Sequence, residues 1–315
     1  MLTVTINDKP PNNWNQNIQK NEFGSVYQTK EFGEYGKKHL CANPIYITFF
    51  HKEKIVSQLL MFQTIRGRSK ILKYFGRGFI YKQIPNLKIF PKYYFWHFGP
   101  IIFDTQFQND VYDSLGSLLS SWKSTFKGNN PPLLTESSFD KKFNFKQNEE
   151  GTFVISLDQD LNEILQKTDK KSVQKNIKRS EERGVKITQV ESKKDLISYY
   201  ELLKQFRTQN KFETYSLSNV IDGYHLLKDI GQIGFLAWYN GDLIGGVFIS
   251  TFNRFINEWG IVSSNFDREN KLYSVDYLRW KIIEWGKQHD CKYYDLSGIQ
   301  PVSYTHLTLP TTPYV

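Results

Sequence analysis

The sequence predicts two tandem α/β domains, each a mixed β-sheet flanked by helices, over 1–150 and 151–301. Three observations carry this. The chain has 315 residues, about twice a usual domain length. It is 39% hydrophobic and 16% aromatic, which excludes a mostly disordered polypeptide. FFHKEKIVSQLL (49–60) also overlays AWYNGDLIGGVF (237–248) at a fixed offset of 188 residues. Both read aromatic strand, polar turn, β-branched strand, and in each half another strand and a long Trp-bearing helix follow. That shared order points to an internal duplication.

Taken in order, the first fifteen residues read as a loose arm. Thr29 to Leu40 is a short helix candidate. IYITFF (45–50), HKEK and IVSQLLMF form a hairpin signal with a polar turn. Over 108–127, Val111, Leu115, Leu118, Trp122 and Phe126 share one helical stripe. Gly128 to Pro132 then break the chain. In the second half, Asp158 is placed to cap a helix carrying Leu161, Ile164 and Leu165. A helix from about Ser172 stops at Gly184, because glycine tolerates positive φ. Ser192 and Asp195 have capping-box spacing ahead of Leu196, Tyr199, Tyr200, Leu203 and Phe206. Ser218 can begin another helix. IGFLAWY meets Asn240-Gly241, a strong hairpin turn, and LIGGVFIST and RFINEWGIV follow as strands. A helix over about 273–289 precedes the short strand KYYDLSG.

Charge is uneven. The net charge is +9, which suggests an anionic partner. Lys52 to Lys92 contributes +9 and Lys167 to Lys186 contributes +5, so the remainder is acidic at −5. Two cysteines 250 residues apart form no disulfide framework and no zinc spacing. No apolar run is long enough to span a bilayer, and the N-terminus lacks a signal-peptide layout. The expected location is therefore cytoplasmic. No P-loop is present; Gly76-Arg77-Gly78 and Gly245-Gly246 read as turns or bulges. The histidines lack metal-site spacing, and no GxSxG elbow supports a Ser-His-Asp triad.

Longer patterns add a resemblance. SVQKNIKRSEERGVKI (172–187), AWYNGDLIGGVFIST, DYLRWKIIEWGKQHDCKYYDLSGIQP (276–301), YQTKEFGEYGKK and WHFGPIIFD (96–104) occur in the order and spacing of the Fem family. These enzymes are aminoacyltransferases that extend peptidoglycan cross-bridges, and they resemble two tandem GNAT acyltransferase domains. The resemblance implies that fold, with the second domain incomplete. It implies transfer of an aminoacyl group from aminoacyl-tRNA to an amine of a muropeptide or another phosphorylated amine acceptor, with no cofactor and no metal. Site residues follow from it: Lys37, Arg207, Tyr215 and Trp259 for substrate, and Lys175, Lys178 and Arg179 for tRNA phosphates. Asp295 at a strand end is the catalytic candidate, because the family's C-terminal aromatic-lysine motif has no match here.

Two departures from the family pattern stand out, and one contrast with acyl-CoA enzymes. Ser297 replaces the first glycine of the family's Tyr-Asp-Leu-Gly-Gly strand end. Gln209-Asn210-Lys211-Phe212 stands where the family has Arg-Asp-Gly-Phe. SSNFDRENKLYS (263–274) carries no glycine, whereas acyl-CoA GNAT enzymes bind pyrophosphate on a glycine turn opening a helix; this disfavours CoA as donor. Residues 66–92 hold eight Lys/Arg and no acid, interleaved with aromatics. Arg66, Arg68, Lys70 and Lys73 are expected to dock a polyanion or the inner face of an anionic membrane. Two rivals stand beside this reading: N-acyl transfer to another surface polymer or small amine, and non-catalytic nucleic-acid binding. VSYTHLTLPTTPYV (302–315) contains no Lys, Arg, Asp or Glu. It reads as an artefactual, adapter-like tail that packs poorly.

Overall fold

The computed structural model describes residues 2–67, 90–134, 139, 141–147, 151–212, 214–297 and 312–313. The chain divides into two compact units, Met1–Asn148 and Glu149–Val315.

The first unit contains β1 (Thr3–Asn7), α1 (Trp14–Gln19), α2 (Lys30–His39), β2 (Asn43–His51) and β3 (Lys54–Ile65). After them come β4 (Lys92–Trp96), β5 (Ile101–Ile102), α3 (Gln108–Trp122) and β6 (Thr125–Gly128). The sheet order is β1-β2-β3-β4-β6, with β5 beside β3. The first three neighbouring pairs are antiparallel, and β4 with β6 is parallel. Thr29 caps α2, accepting from the Phe32 amide, as hydroxyl residues do at a helix start. Gly33 and Gly36 let α2 lie close on the sheet: a Cβ on Gly36 would come within 2.1 Å of the Phe62 ring. On the other face Val111, Leu115 and Leu119 of α3 join Ile47, Phe49 and Leu59 in one core.

The second unit repeats the plan. It contains β7 (Phe153–Ser156), α4 (Leu161–Lys167), α5 (Val173–Glu182), β8 (Lys186–Gln189), α6 (Lys193–Gln209) and α7 (Leu217–Leu227). There follow β9 (Gln232–Tyr239), β10 (Asp242–Phe252), β11 (Phe255–Ser263), α8 (Asn265–Glu269), α9 (Ser274–Gln288), β12 (Tyr293–Asp295) and β13 (Thr312–Pro313). The order is β13-β7-β12-β11-β10-β9-β8. β8, β9, β10 and β11 pair antiparallel in turn, and β11 with β12 is parallel. So β8 to β12 reproduce the order and direction of β1, β2, β3, β4 and β6. The match extends to register. Phe49 pairs with Ser57 and Phe50 with Ile55, leaving Val56 as an extra residue. Ala237 pairs with Gly245 and Trp238 with Leu243, leaving Ile244. One face of this sheet is covered by α4, α5 and α9 through residues such as Ile164, Ile177 and Leu278. The other is covered by α6 through Leu196 and Tyr199 and by α7 through Ile221 and Tyr224. Each such buried aliphatic or aromatic side chain contributes about 1.5–3 kcal/mol.

Several local expectations need correction. Thr3–Asn7 is an edge strand rather than a loose arm, its Thr-Val-Thr-Ile alternation supplying the pleat. Phe126 is on β6, not on the preceding helix, because Lys123 ends that helix in the left-handed conformation at φ 48°. The helix caps are Asp160 and Ser216, each two residues from the position expected. β12 lies between β11 and β7, and β7 pairs onward with Thr312–Pro313. Of the tail, only those two residues lie among the described ones.

Candidate functional site

In the second unit, α6 delivers Arg207 to its last turn. The Arg207 guanidinium lies 4.4 Å from the Tyr215 ring centre and 5.6 Å from that of Phe212. Tyr215 and Phe212 are 42% and 55% exposed, so the cation is flanked by rings that solvent reaches. Ring faces attract a cation and fix its plane, which suits bidentate binding of phosphate. Beneath them Tyr199 is buried. Burial first, and then Tyr215, push its hydroxyl pKa well up, against the pull of Arg207. Trp259 packs against the apolar cluster containing Tyr199, and its indole donates to Ser250 Oγ at 2.9 Å. Thus Arg207, Tyr215 and Trp259 lie on the α6 side of the sheet.

Asp295 closes the end of β12 and is 1% exposed. Its Oδ1 accepts from the Thr152 hydroxyl and, at 2.8 Å, from the Ser297 amide. Its Oδ2 accepts from Asn257 Nδ2 at 3.2 Å. Burial raises its pKa, and these bonds oppose the rise. The geometry is that of a carboxylate holding a strand end.

The sequence reading missed the neighbouring network. Glu258, 4% exposed, accepts two bonds from Arg279 of α9, at 3.0 Å from Nε and 2.8 Å from Nη2. The Tyr294 hydroxyl donates to the same carboxylate at 2.7 Å. Burial works against the Arg279 charge, but Glu258 outweighs it and raises its pKa. One signal was available: an acid inside the apolar run RFINEWGIV must find a partner if buried.

α5 presents Lys175, Lys178 and Arg179 to solvent, while its other face is anchored. Asn176 donates to Asp276 of α9 at 2.7 Å, and the Ser180 hydroxyl to the Leu272 carbonyl at 2.5 Å. Burial raises the Asp276 pKa, with Asn176 opposing. Lys178 pairs with Glu182 at 3.6 Å, both well exposed, a pairing that contributes little. Arg179 lies 5.8 Å from the centre of the Tyr273 ring.

In the first unit Lys37 is exposed near the end of α2. Arg66 follows β3, exposed, with its amide donating to Pro91 O at 2.9 Å. It borders a cavity of about 410 Å³ with Leu40, Thr64, Tyr93, Phe95 and His97. Burial first, then Lys127, lower the His97 pKa to about 4, so the imidazole is neutral at physiological pH. Arg68, Lys70 and Lys73 lie outside the described residues. Among the described residues no His/Cys/Asp/Glu group is arranged to hold a metal ion. No described helix is long and apolar enough to cross a membrane.

Two units of one sheet plan, each with a parallel pair after an antiparallel meander, define a tandem α/β architecture, and comparison with known structures agrees. The chain matches the crystal structure of FemX with a TM-score of 0.71 at 12% identity, covering 100% of this chain and 94% of that one. It matches a tandem GNAT protein from the clavulanic acid biosynthesis pathway with a TM-score of 0.54 at 10% identity, covering 100% and 96%. L-PGS from Bacillus licheniformis gives a TM-score of 0.54 at 9% identity, covering 95% of this chain and 79% of that one. No family model and no curated protein matches the sequence. The protein has the Fem-like tandem GNAT fold.

Proposed function

We propose that the protein is an acyltransferase that moves an aminoacyl group from aminoacyl-tRNA to an amine of a peptidoglycan precursor. The observation that carries this reading is the likeness to FemX over the whole of this chain, joined to the Fem-like motifs in sequence. In the reaction the acceptor amine attacks the ester carbonyl, the C–N bond forms, and the C–O bond to the tRNA ribose breaks. The proton lost by the amine ends on the departing ribose oxygen. Ester to amide is downhill, so the step needs neither oxidant nor reductant.

Both substrates are polyanions. Arg207, braced by Tyr215, binds substrate phosphate in the second unit, where Trp259 lies on the same side of the sheet; Lys37 is a substrate-binding residue of the first unit. Lys175, Lys178 and Arg179 form an exposed cationic strip for tRNA phosphates. Arg66, with Arg68, Lys70 and Lys73, serves peripheral contact with an anionic membrane. Asp295 acts by holding the strand end rather than by touching the reacting atoms. Nucleic acid recovered with the purified full chain tests the donor assignment. Recovery of tRNA supports it, whereas a mixture without tRNA enrichment favours general nucleic-acid binding.

A further inference from the structure

The first unit breaks a ladder that the second unit keeps. In the second, β10 pairs with β11 on both sides of a register shift, Val247 with Ile261 and Ile249 with Glu258. In the first, the counterpart of β11 is split into β4 and β5. β3 pairs with β5 at Ser57–Ile102 and Gln58–Ile101, and with β4 from Phe62–Phe95 onward. Five residues separate Phe95 from Ile101, where four separate Asn257 from Val262. The surplus residue lets the chain leave the sheet at His97, Phe98 and Gly99. The backbone N–H and C=O of Leu60, facing that break, then need another partner.

That partner is Gln28, which is 0% exposed. Its Oε1 accepts from the Leu60 amide at 2.7 Å. Its Nε2 donates to the Leu60 carbonyl at 3.3 Å and to the His97 carbonyl at 2.6 Å. One side-chain amide, offering donor and acceptor together, thus stands in for a strand. The Gln28 carbonyl accepts from the Trp14 indole at 2.7 Å, which holds the backbone behind the side chain. The loop is fixed from other sides as well. Trp96 Nε1 donates to the Gly99 carbonyl at 2.9 Å, and the Gly99 amide to the Asn129 carbonyl at 3.0 Å. A Cβ on Gly99 would come within 2.9 Å of Gln28 Nε2, so glycine permits the approach. Phe98 has φ 47°, a conformation that a bulky residue keeps only where its surroundings hold it. His97 is what the loop presents. Its ring lies among those of Tyr27, Phe32 and Phe95, with centres 5.7, 6.2 and 5.7 Å away, and it lines the cavity that Arg66 borders.

We propose that Gln28 is a positioning residue: by replacing the strand partner of Leu60 and anchoring the His97 carbonyl, it sets the imidazole in the cavity wall of the first unit for binding the acceptor. The acceptor half of this rests on the aminoacyl-transfer reading; the placement of His97 does not.

The test first reads His97 by NMR of the full chain with labelled histidine, the signal being assigned by its loss in His97→Ala. In the wild type, burial and then Lys127 keep the imidazole pKa at about 4. Gln28→Met has similar volume and makes none of the three side-chain bonds. It should move the titration toward the ordinary value by at least about one pH unit. An unmoved titration in a variant of unchanged circular dichroism overturns the proposal. Should Gln28→Met fail to fold, Gly99→Ala decides: its Cβ presses on Gln28 from the loop side and must move the same signal. The second reading is kinetic, with aminoacyl-tRNA and a nucleotide-linked muropeptide. Gln28→Met should raise the acceptor KM about tenfold, with the KM for aminoacyl-tRNA within about twofold of the wild type. In a His97→Ala background the same change should raise the acceptor KM less than about threefold, because the two residues act as one unit. A full tenfold rise there means that Gln28 acts independently of His97, and it overturns the proposal. Transfer by the wild type with an unmoved titration in the variant refutes this proposal alone. A wild type without transfer whose His97 titration moves in the variant refutes the functional reading alone.

Discussion

Val56 and Ile244 are one position seen twice. Each is the extra residue of a bulge in the second strand of its unit's hairpin, each is buried, and they stand 188 residues apart. A bulge bends the strand and fixes which residues face each side. Deleting Ile244 would leave the Trp238–Leu243 and Ala237–Gly245 pairs consecutive in a regular ladder, but would remove the bend and a buried core side chain. We expect a protein destabilised by about 2–5 kcal/mol from that deletion. Ile244→Val, which keeps the bulge, should cost only about 0.5–1.5 kcal/mol in thermal denaturation.

The Glu258–Arg279 pair should behave as a buried ion pair. Arg279→Met leaves the buried Glu258 carboxylate without its cation, holding only the Tyr294 hydroxyl, and should destabilise the protein by about 3–5 kcal/mol. Adding Glu258→Gln to it should restore part of the loss. Urea titration of the three variants checks this; additive losses would mean that the two groups are not coupled.

Asp276 gives a pH signature. Burial raises its folded pKa above the ordinary 3.8, so the folded state holds this proton more tightly than the unfolded chain does. The stabilising effect of that proton is fully present below the unfolded value and lost as pH rises through the folded one. At neutral pH the ionised group is therefore a burden. Asp276→Asn keeps an acceptor for Asn176 and should raise the melting temperature at pH 8. The advantage should shrink as pH falls toward 3.8, and a gap independent of pH would contradict the assignment.

The α5 cations should act by neutralising phosphates. Changing Lys175, Lys178 and Arg179 together to Ala should weaken tRNA binding and flatten its salt dependence. Each phosphate left without its cation takes about 0.7–0.9 off the log–log slope. An unchanged slope in a filter-binding series would make the strip a solvated face.

What the sequence disclosed followed from how local the signals were. The second hairpin was legible because Asn240-Gly241 fixes the turn and the apolar runs on either side fix the strands. The Ser192–Asp195 capping box is present as read. β1 was missed because a strand at an edge, with mostly exposed residues, lacks the apolar density that marks a central one. Phe126 continued a helical stripe that the positive φ of Lys123 interrupts, and no residue type announces that turn. Glu258, Arg279 and Tyr294 lie on three elements, so only the fold brings them together. Ser297 looked like a departure from a glycine pattern; its hydrogen bond to Asp295 appears only when the strand end is placed.

The central claim is aminoacyl transfer, and the most direct measurement is formation of the amide itself. Full-length protein would be incubated with labelled aminoacyl-tRNA and a nucleotide-linked muropeptide, and the muropeptide analysed by mass spectrometry. The account predicts a mass gain of one aminoacyl residue, carrying the label, with Arg207→Ala raising the acceptor KM by about tenfold, or about 1.4 kcal/mol. A muropeptide left unmodified by the wild type, together with efficient acylation of an amine from acyl-CoA, would contradict it.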